Sequence, residues 1–381
     1  MPGPDGQRRA SSGEILRFFL RLGLTAFGGP AAHIGLMERD AVERRGWLTR
    51  EQFLDLVGAC NLLPGPGSTQ VAMALGYSQG GWPGLLIAGA CFIVPAALMT
   101  LALAWSYVHF SGLPRVQGLL YGAKPVMEAI IAQAIWNLGR RAFRSIELAL
   151  VGVACLVAAT MNSAPILILL SAGILTLTAD RIRSQRATAS GCALLPLSAA
   201  PGAAAAAPAL AQVAIVFLKL GVVVFGSGYV LLAFLKTDLI DRLHWLTESQ
   251  LIDAVTAGQV TPGPVFATAT FLGYLLHGFA GAAVATVAIF LPSFFMAGLV
   301  GAFAHRIRRS RPAAAFLNGV NAAAVALMAS VAWSLGRATL VDAWTWAMGL
   351  VSAVLLVGFR VNATWLILAG AALGLLLRGL A

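Results

Sequence analysis

Leu63-Pro64-Gly65-Pro66-Gly67 returns as Thr261-Pro262-Gly263-Pro264-Val265, and the residues around each stretch return with it. Sliding the chain by 198 positions (262 − 64) lays Leu22-Gly23 on Leu220-Gly221, Phe27-Gly28 on Phe225-Gly226 and Asp40 on Asp238. The same shift brings Trp47-Leu48-Thr49 onto Trp245-Leu246-Thr247, Gln52 onto Gln250 and Asp55 onto Asp253. Past the Pro-Gly-Pro the offset becomes 197 (281 − 84), pairing Gly84 with Gly281 and Pro95 with Pro292. So many identities in a gapless window mark an internal repeat. The chain divides into a disordered N-terminus at 1–13, a first unit at 14–180, a flexible Ala/Pro/Gly/Ser linker at 181–208 and a second unit at 209–381.

Composition places both units in a membrane. Of 381 residues, 59% are hydrophobic and 11% charged, against about 25% charged in soluble domains. Apolar runs such as Leu85 to Leu103 and Ala282 to Phe303 are long enough to span a bilayer. The first residues hold no apolar core with a cleavage site, so no removable signal peptide is expected. The net charge of +11 sits in short loops, which is an orientation signal rather than a nucleic-acid footprint. Cys60, Cys91, Cys155 and Cys192 show neither a CxxC nor metal spacing and read as small apolar filler.

Two kinds of interruption punctuate the apolar runs. In the first span of each unit a break falls at Gly28-Gly29-Pro30 and at Gly226-Ser227-Gly228, because Gly and Pro remove helix propensity and Pro a backbone donor. A capping box then recurs, Thr49-x-x-Gln52 and Thr247-x-x-Gln250, and predicts a helix start near residues 50 and 248. Those helices stop at Pro64-Gly65-Pro66 and Pro262-Gly263-Pro264. At 1.5 Å per residue each arm is roughly 20 Å long, short of the roughly 30 Å hydrocarbon core. Residues 50–80 and 248–277 therefore read as re-entrant helical hairpins with the Pro-Gly-Pro at the tip.

The fold expected is all-α and polytopic, with about five spanning helices and one hairpin per unit. Loop charge relates the two units. Arg140, Arg141 and Arg144 crowd a loop whose equivalent holds only Arg337, whereas Arg306, Arg308, Arg309 and Arg311 crowd one whose equivalent holds only Arg115. Equivalent loops on opposite sides of the membrane mean an inverted-topology repeat.

Inverted repeats with broken helices meeting at the midplane are a secondary-transporter design, so the candidate ligands are the polar groups near the breaks. The helix start Gly67-Ser68-Thr69 offers backbone N–H groups and two hydroxyls to an anion; the second unit has Val265-Phe266-Ala267 there and loses the hydroxyls. Lys124 lies mid-span with Glu128 one turn on, and a charge at such depth costs about 2.5–3.5 kcal/mol unless it is sheltered. Spacing leaves two readings: a structural Lys124–Glu128 ion pair, or Lys124 as anion ligand with Glu128 handling protons. Their equivalents are Asn321 and Val325, so Asn321 is the matching substrate candidate. Arg21 recurs as Lys219 beside each break, as a pair of cations about the centre or as snorkelling side chains. Asp55 and Asp253 read as hairpin contacts or proton carriers, and the lone His33 as packing or capping.

No GxxxxGK[ST], no GxGxxG between strand and helix and no His/Cys/carboxylate cluster is present, so no cofactor or metal is expected. With Phe27-Gly28-Gly29-Pro30, Trp47-Leu48-Thr49-x-x-Gln52-Phe53, Pro64-Gly65-Pro66 and Gly122-x-Lys124-Pro125 in view, the chain resembles the chromate ion transporter family in its long, two-domain form. The resemblance implies proton-motive-force-driven export of chromate across the bacterial cytoplasmic membrane, conferring chromate resistance, with no enzymatic activity. Chromate and protons are then the partners, in a lipid bilayer, and a homodimer is compatible with this design. Sulfate, equally tetrahedral and charged, is the competing substrate, and a membrane-bound chromate reductase the competing class.

Overall fold

The computed structural model describes residues 10–161, 163–184, 208–225, 228–307, 311–359 and 361–378. Every regular element among them is helical. In the first unit these are α1 (Ser12–Thr25), α2 (Gly29–Met37), α3 (Arg50–Cys60), α4 (Gly67–Phe110), α5 (Pro114–Ala142), α6 (Ile146–Thr160) and α7 (Pro165–Ser184). The second unit repeats them as α8 (Leu210–Val223), α9 (Val230–Leu235), α10 (Glu248–Val260), α11 (Thr268–Ile307), α12 (Arg311–Thr339), α13 (Ala343–Gly358) and α14 (Ala363–Arg378). A π-helical turn extends α2 over Glu38–Glu43 and α9 over Lys236–Arg242. Residues 1–9 and most of the linker (185–207) lie outside the described residues, as do Gly226, Ser227 and residues 308–310 of the Arg306–Arg311 loop.

Local chemistry sets the boundaries. Thr49 and Thr247 accept from the N–H groups of Gln52 and Gln250, whose side chains bond back to the cap, closing both expected capping boxes. A third box, Ser11 with Glu14, starts α1 at Ser12, two residues before the periodicity begins, so residues 10–13 are ordered where a disordered end was expected. Gly28 (φ 104°) and Gly29 (φ 80°) turn the chain out of α1, and Pro30 opens α2.

Both α4 and α11 double back. Gly81 (φ 59°, ψ −147°) and Gly278 (φ 56°, ψ −145°) occupy backbone space open to glycine. A Cβ on Gly84 would fall 2.2 Å from the Gly76 carbonyl, and one on Gly281 2.1 Å from that of Gly273; these pairs meet only if each helix folds at the glycine. Segment 67–79 with α3, and the start of α11 with α10, thus form the two helix–turn–helix hairpins around the Pro-Gly-Pro tips.

The long arms then cross between units. A Cβ on Gly298 would meet the Trp82 ring at 2.4 Å and one on Gly89 the Phe294 ring at 2.7 Å, so 82–110 and its equivalent in α11 run antiparallel. The α5 helix packs on α13 and α14 of the second unit, while α12 packs on α6 and α7 of the first. Gly122 lies against Gly370, and its equivalent Gly319 against Ala172. Tyr121 donates to both Asp342 carboxylate oxygens at 2.7 Å, and Arg378 lies 3.0 Å from Asp342. The Asp342 carboxyl is held below the usual range first by the Thr345 N–H it caps and then by Tyr121.

Among the described residues, four helical stretches are long and apolar enough to cross a membrane by length and composition: Gly67–Phe110, Pro165–Ile182, Val265–Val300 and Ala314–Thr339. The α6, α8, α13 and α14 helices are apolar but shorter. Large apolar side chains such as Leu98, Val287 and Trp333 cover the outward faces, as a lipid-facing surface requires.

Small residues let such helices approach backbone to backbone, which makes Gly122 a sensitive position. A Cβ there would come 1.9 Å from the Gly370 carbonyl, whereas Gly112 has open space. Gly122→Ala should cost about 3 kcal/mol by overpacking, read as a lower unfolding temperature in detergent. Gly112→Ala, its control, should match the parent.

Candidate functional site

Each Pro-Gly-Pro tip closes on the helix break of the other unit. The Gly65 N–H donates to the Val224 carbonyl at 2.6 Å, and the Gly263 N–H to the Ala26 carbonyl at 2.9 Å. The two bonds are equivalent residue for residue, as across a two-fold axis. They also answer the question a broken helix poses in lipid, since a carbonyl freed at a break needs a donor. Gly65 (φ 116°) and Gly263 (φ 97°) hold a left-handed conformation that brings the N–H round.

The tips differ in lining. Tip one opens into α4, whose first-turn Ser68 and Thr69 are buried. The Ser68 hydroxyl lies 3.3 Å from His33 Nδ1, and His33 Nε2 lies 3.1 Å from the Ala26 carbonyl. A carbonyl only accepts, so Nε2 carries the hydrogen, and in the neutral ring Nδ1 accepts from Ser68. His33 packs edge-on against Phe92 and so joins the first unit's break, tip one and, through the shared Ala26 carbonyl, tip two. The Gly28-Gly29-Pro30 break, one helical turn before it, was the available signal. Tip two is lined differently: the Thr261 hydroxyl lies 3.3 Å from that of Thr100, Gln259 Nε2 is buried without a hydrogen-bond partner among the described residues, and a narrow cleft beside the tip is lined by Gly228, Tyr229, Leu232, Val255, Val265 and Thr268.

Lys124 finds a partner that spacing along α5 does not indicate. Its Nζ donates to Ser249 Oγ at 2.7 Å and lies 3.2 Å from Asp253 Oδ1, both on α10 of the second unit. Tyr107 from α4 donates to Asp253 Oδ2 at 3.1 Å. The Asp253 side chain is 2% exposed and that of Lys124 21%, so the carboxylate is sealed while the ammonium reaches the surface of the cluster. The alternative Lys124–Glu128 ion pair does not form. Glu128 is buried beside Gly336 of α12, and its Oε1 has no hydrogen-bond partner among the described residues. The i,i+4 spacing aligned the two side chains along α5, but the stronger partner comes from a helix distant in sequence.

The remaining candidates do not converge on that cluster. Lys219 holds Asp238 at 2.6 Å, a contact within the second unit. Arg21 and Asn321 are exposed. Asp55 is half-buried at the position on α3 equivalent to Asp253. No group of three His, Cys, Asp or Glu side chains among the described residues could hold a metal ion.

Comparison with known proteins matches this two-unit design. The sequence profile described as "Chromate transporter" fits residues 13–177 and again 211–375. A chromate transport protein of Cupriavidus metallidurans is 35% identical over 94% of this chain and 91% of its own length. A probable chromate transport protein of Synechococcus elongatus is 33% identical over 90% and 88%. A chromate transport protein of Pseudomonas aeruginosa is 29% identical over 86% and 81%. No solved structure matches significantly. With the profile met once in each unit and the Cupriavidus relative 35% identical over 94% of the chain, this chain belongs to the chromate transporter family.

Proposed function

We propose that this chain is a secondary transporter that carries chromate out of the bacterial cytoplasm, draws on the proton-motive force and so confers chromate resistance. The observation that carries the reading is the reciprocal seating of each tip in the other unit's helix break, the arrangement through which inverted-repeat transporters build a central site. The family and the names of the relatives supply the substrate. An anion leaving a cell that is negative inside gains about 2.3 kcal/mol per charge per 100 mV, so the membrane potential favours export. Lys124 and the α4 start are the proposed anion ligands, and Asp253 and Glu128 the proton carriers.

Inverted topology is part of this proposal. Equivalent arms that run antiparallel need a two-fold axis perpendicular to themselves; with both arms crossing the bilayer, that axis lies in the membrane plane. Single cysteines placed in loops 139–144 and 306–311 of a Cys-free variant should then both label from the cytoplasm, and cysteines near 112 and 339 from outside. Labelling of residues 112 and 309 from one face would refute it.

The flux experiment is uptake of labelled chromate and sulfate by inverted vesicles, with the proton gradient intact and then collapsed. Chromate uptake that falls on collapse, with sulfate taken up poorly, is the expected result. Absence of chromate uptake defeats the transport reading, and sulfate uptake at an equal rate defeats the substrate.

A further inference from the structure

The helix break and the Pro-Gly-Pro tip of each unit spring from one base. In the first unit the Ala10 N–H donates to Gln79 Oε1 at 3.3 Å, and Gln79 Nε2 donates to the Trp47 carbonyl at 3.1 Å. The Phe18 ring of α1 lies 4.9 Å from that of Trp47. The start of α1, the loop after α2 and the end of segment 67–79 therefore lie together. So α1 and α2 double back at Gly28-Gly29, as the hairpin doubles back at its tip. The second unit repeats the arrangement: His277 Nε2 donates to the carbonyl of Pro208, and these residues are the counterparts of Gly80 and Ala10. In each unit one helix leads away from the break (α2, α9) and one leads to the tip (α3, α10), and the base is where the two can be held in register.

One ion pair crosses each base. Arg50 Nε lies 3.1 Å from Glu38 Oε1, and Lys236 Nζ lies 3.2 Å from Glu248 Oε1. The repeat shift of 198 positions lays Glu38 on Lys236 and Arg50 on Glu248. The two contacts are thus one contact with its charges exchanged. In both it joins the first residue of the π-helical turn after the break helix to the first residue of the tip helix. The neighbouring pairs Asp40–Arg44 and Asp238–Arg242 keep their signs. A residue that binds an anion or carries a proton has to keep its chemical type. Here each position has changed type and kept an opposite partner, so attraction is what the two units share. Local chemistry alone would not place Arg50 where it is, since the positive end of a helix suits an acid such as Glu248 and opposes a cation. Its partner Glu38 accounts for it. Loop charge does not explain the exchange, because the pair is neutral in either order.

We propose that Glu38–Arg50 and Lys236–Glu248 are positioning pairs: each binds the break helix and the tip helix of its unit into one body, so that break and tip move together during transport. This rests on the transport reading above. Each tip bonds the break of the other unit, so two breaks and two tips must keep register for both bonds to hold as access to the site changes. The α3 helix has 11 residues and is roughly 16 Å long at 1.5 Å per residue, a lever that turns a loose base into a displaced tip. The pairs are unequally supported. The Arg50 side chain is 79% exposed and that of Lys236 13%. Lys236 also holds Asp241 at 2.8 Å, and Glu248 also accepts from Ser334 of α12 at 2.7 Å. The first unit's pair therefore gives the simpler test.

The test measures initial rates of labelled chromate uptake by the full-length chain in inverted vesicles, over a range of chromate concentrations, together with the unfolding temperature in detergent. Glu38→Gln and Arg50→Gln should each lower the maximal rate about fivefold, the upper end for an exposed pair, with KM and unfolding temperature close to the parent's. Glu38→Lys alone and Arg50→Glu alone should lower it at least as much. Combined, those two changes rebuild the second unit's order and should restore the parental rate. Lys236→Glu with Glu248→Lys should restore less, because the acid placed at 236 faces Asp241. A second readout does not depend on transport. Spin labels on cysteines replacing Gly35 and Gly58 of a Cys-free variant, where a Cβ meets nothing within 4 Å, should report one narrow α2–α3 distance. Glu38→Gln should broaden it and the exchanged pair narrow it again. Parental rates in the single variants, an exchange variant no better than they are, or a distance that stays narrow throughout overturns the assignment. So does a loss of uptake that follows a fall in unfolding temperature, which would make the pairs struts. A parent chain that takes up no chromate defeats the transport reading, and the label distances still decide whether break and tip form one body.

Discussion

Lys124→Gln should lower chromate uptake by about 50-fold, while Lys124→Arg retains a measurable share. The structure shows how to separate a ligand from a strut. Lys124 faces Asp253, which is sealed among Tyr107, Ser249 and the ammonium itself. Removing the lysine leaves an uncompensated buried carboxylate, worth about 3–5 kcal/mol of stability, so the single variant should also unfold more readily. Lys124→Gln with Asp253→Asn removes both charges and should restore the unfolding temperature. If Lys124 binds the anion, uptake by the double variant, corrected for folded protein, stays low. Recovery of uptake along with stability would make the pair a fastener between the units and nothing more. Glu128→Gln, which leaves the pair untouched, should not reproduce the stability loss.

Gly263→Ala should abolish transport and cost about 3 kcal/mol. The left-handed conformation at φ 97° accounts for about 1–2 kcal/mol in any L-residue with a side chain. The rest comes from the new Cβ, which would stand 2.7 Å from that of Ala96. To relieve the clash the tip must withdraw from α4, and the Gly263 N–H then loses the Ala26 carbonyl, which His33 also holds. Gly46 is the control: its φ is 61° but a Cβ there meets nothing within 4 Å, so Gly46→Ala should cost only the backbone part and leave uptake in place. The measurements are the unfolding temperature in detergent and vesicle uptake per folded molecule. Parent-like values for Gly263→Ala would show that the tip-to-break bond does not hold the site.

The chain alone determined much of what short-range chemistry controls. Repeated residues give repeated elements, so the duplication, the break at Gly28-Gly29-Pro30, both capping boxes and both Pro-Gly-Pro stops could be read from residue types and spacings. Each depends on backbone conformation or on groups within a few positions. The tertiary structure decided which groups meet. Lys124 lies one turn from Glu128 in sequence and 129 positions (253 − 124) from Asp253, yet Asp253 is its partner, because α5 crosses to the second unit and i,i+4 spacing describes only the surface of one helix. For the same reason His33 read as a lone residue until Ala26, Ser68 and Gly263 gathered round it. The exchanged pairs Glu38–Arg50 and Lys236–Glu248 went unnoticed because matched positions of opposite charge do not register as a repeat. Their meaning lies in meeting across the hairpin base, a property of the packed molecule and not of the string of residues.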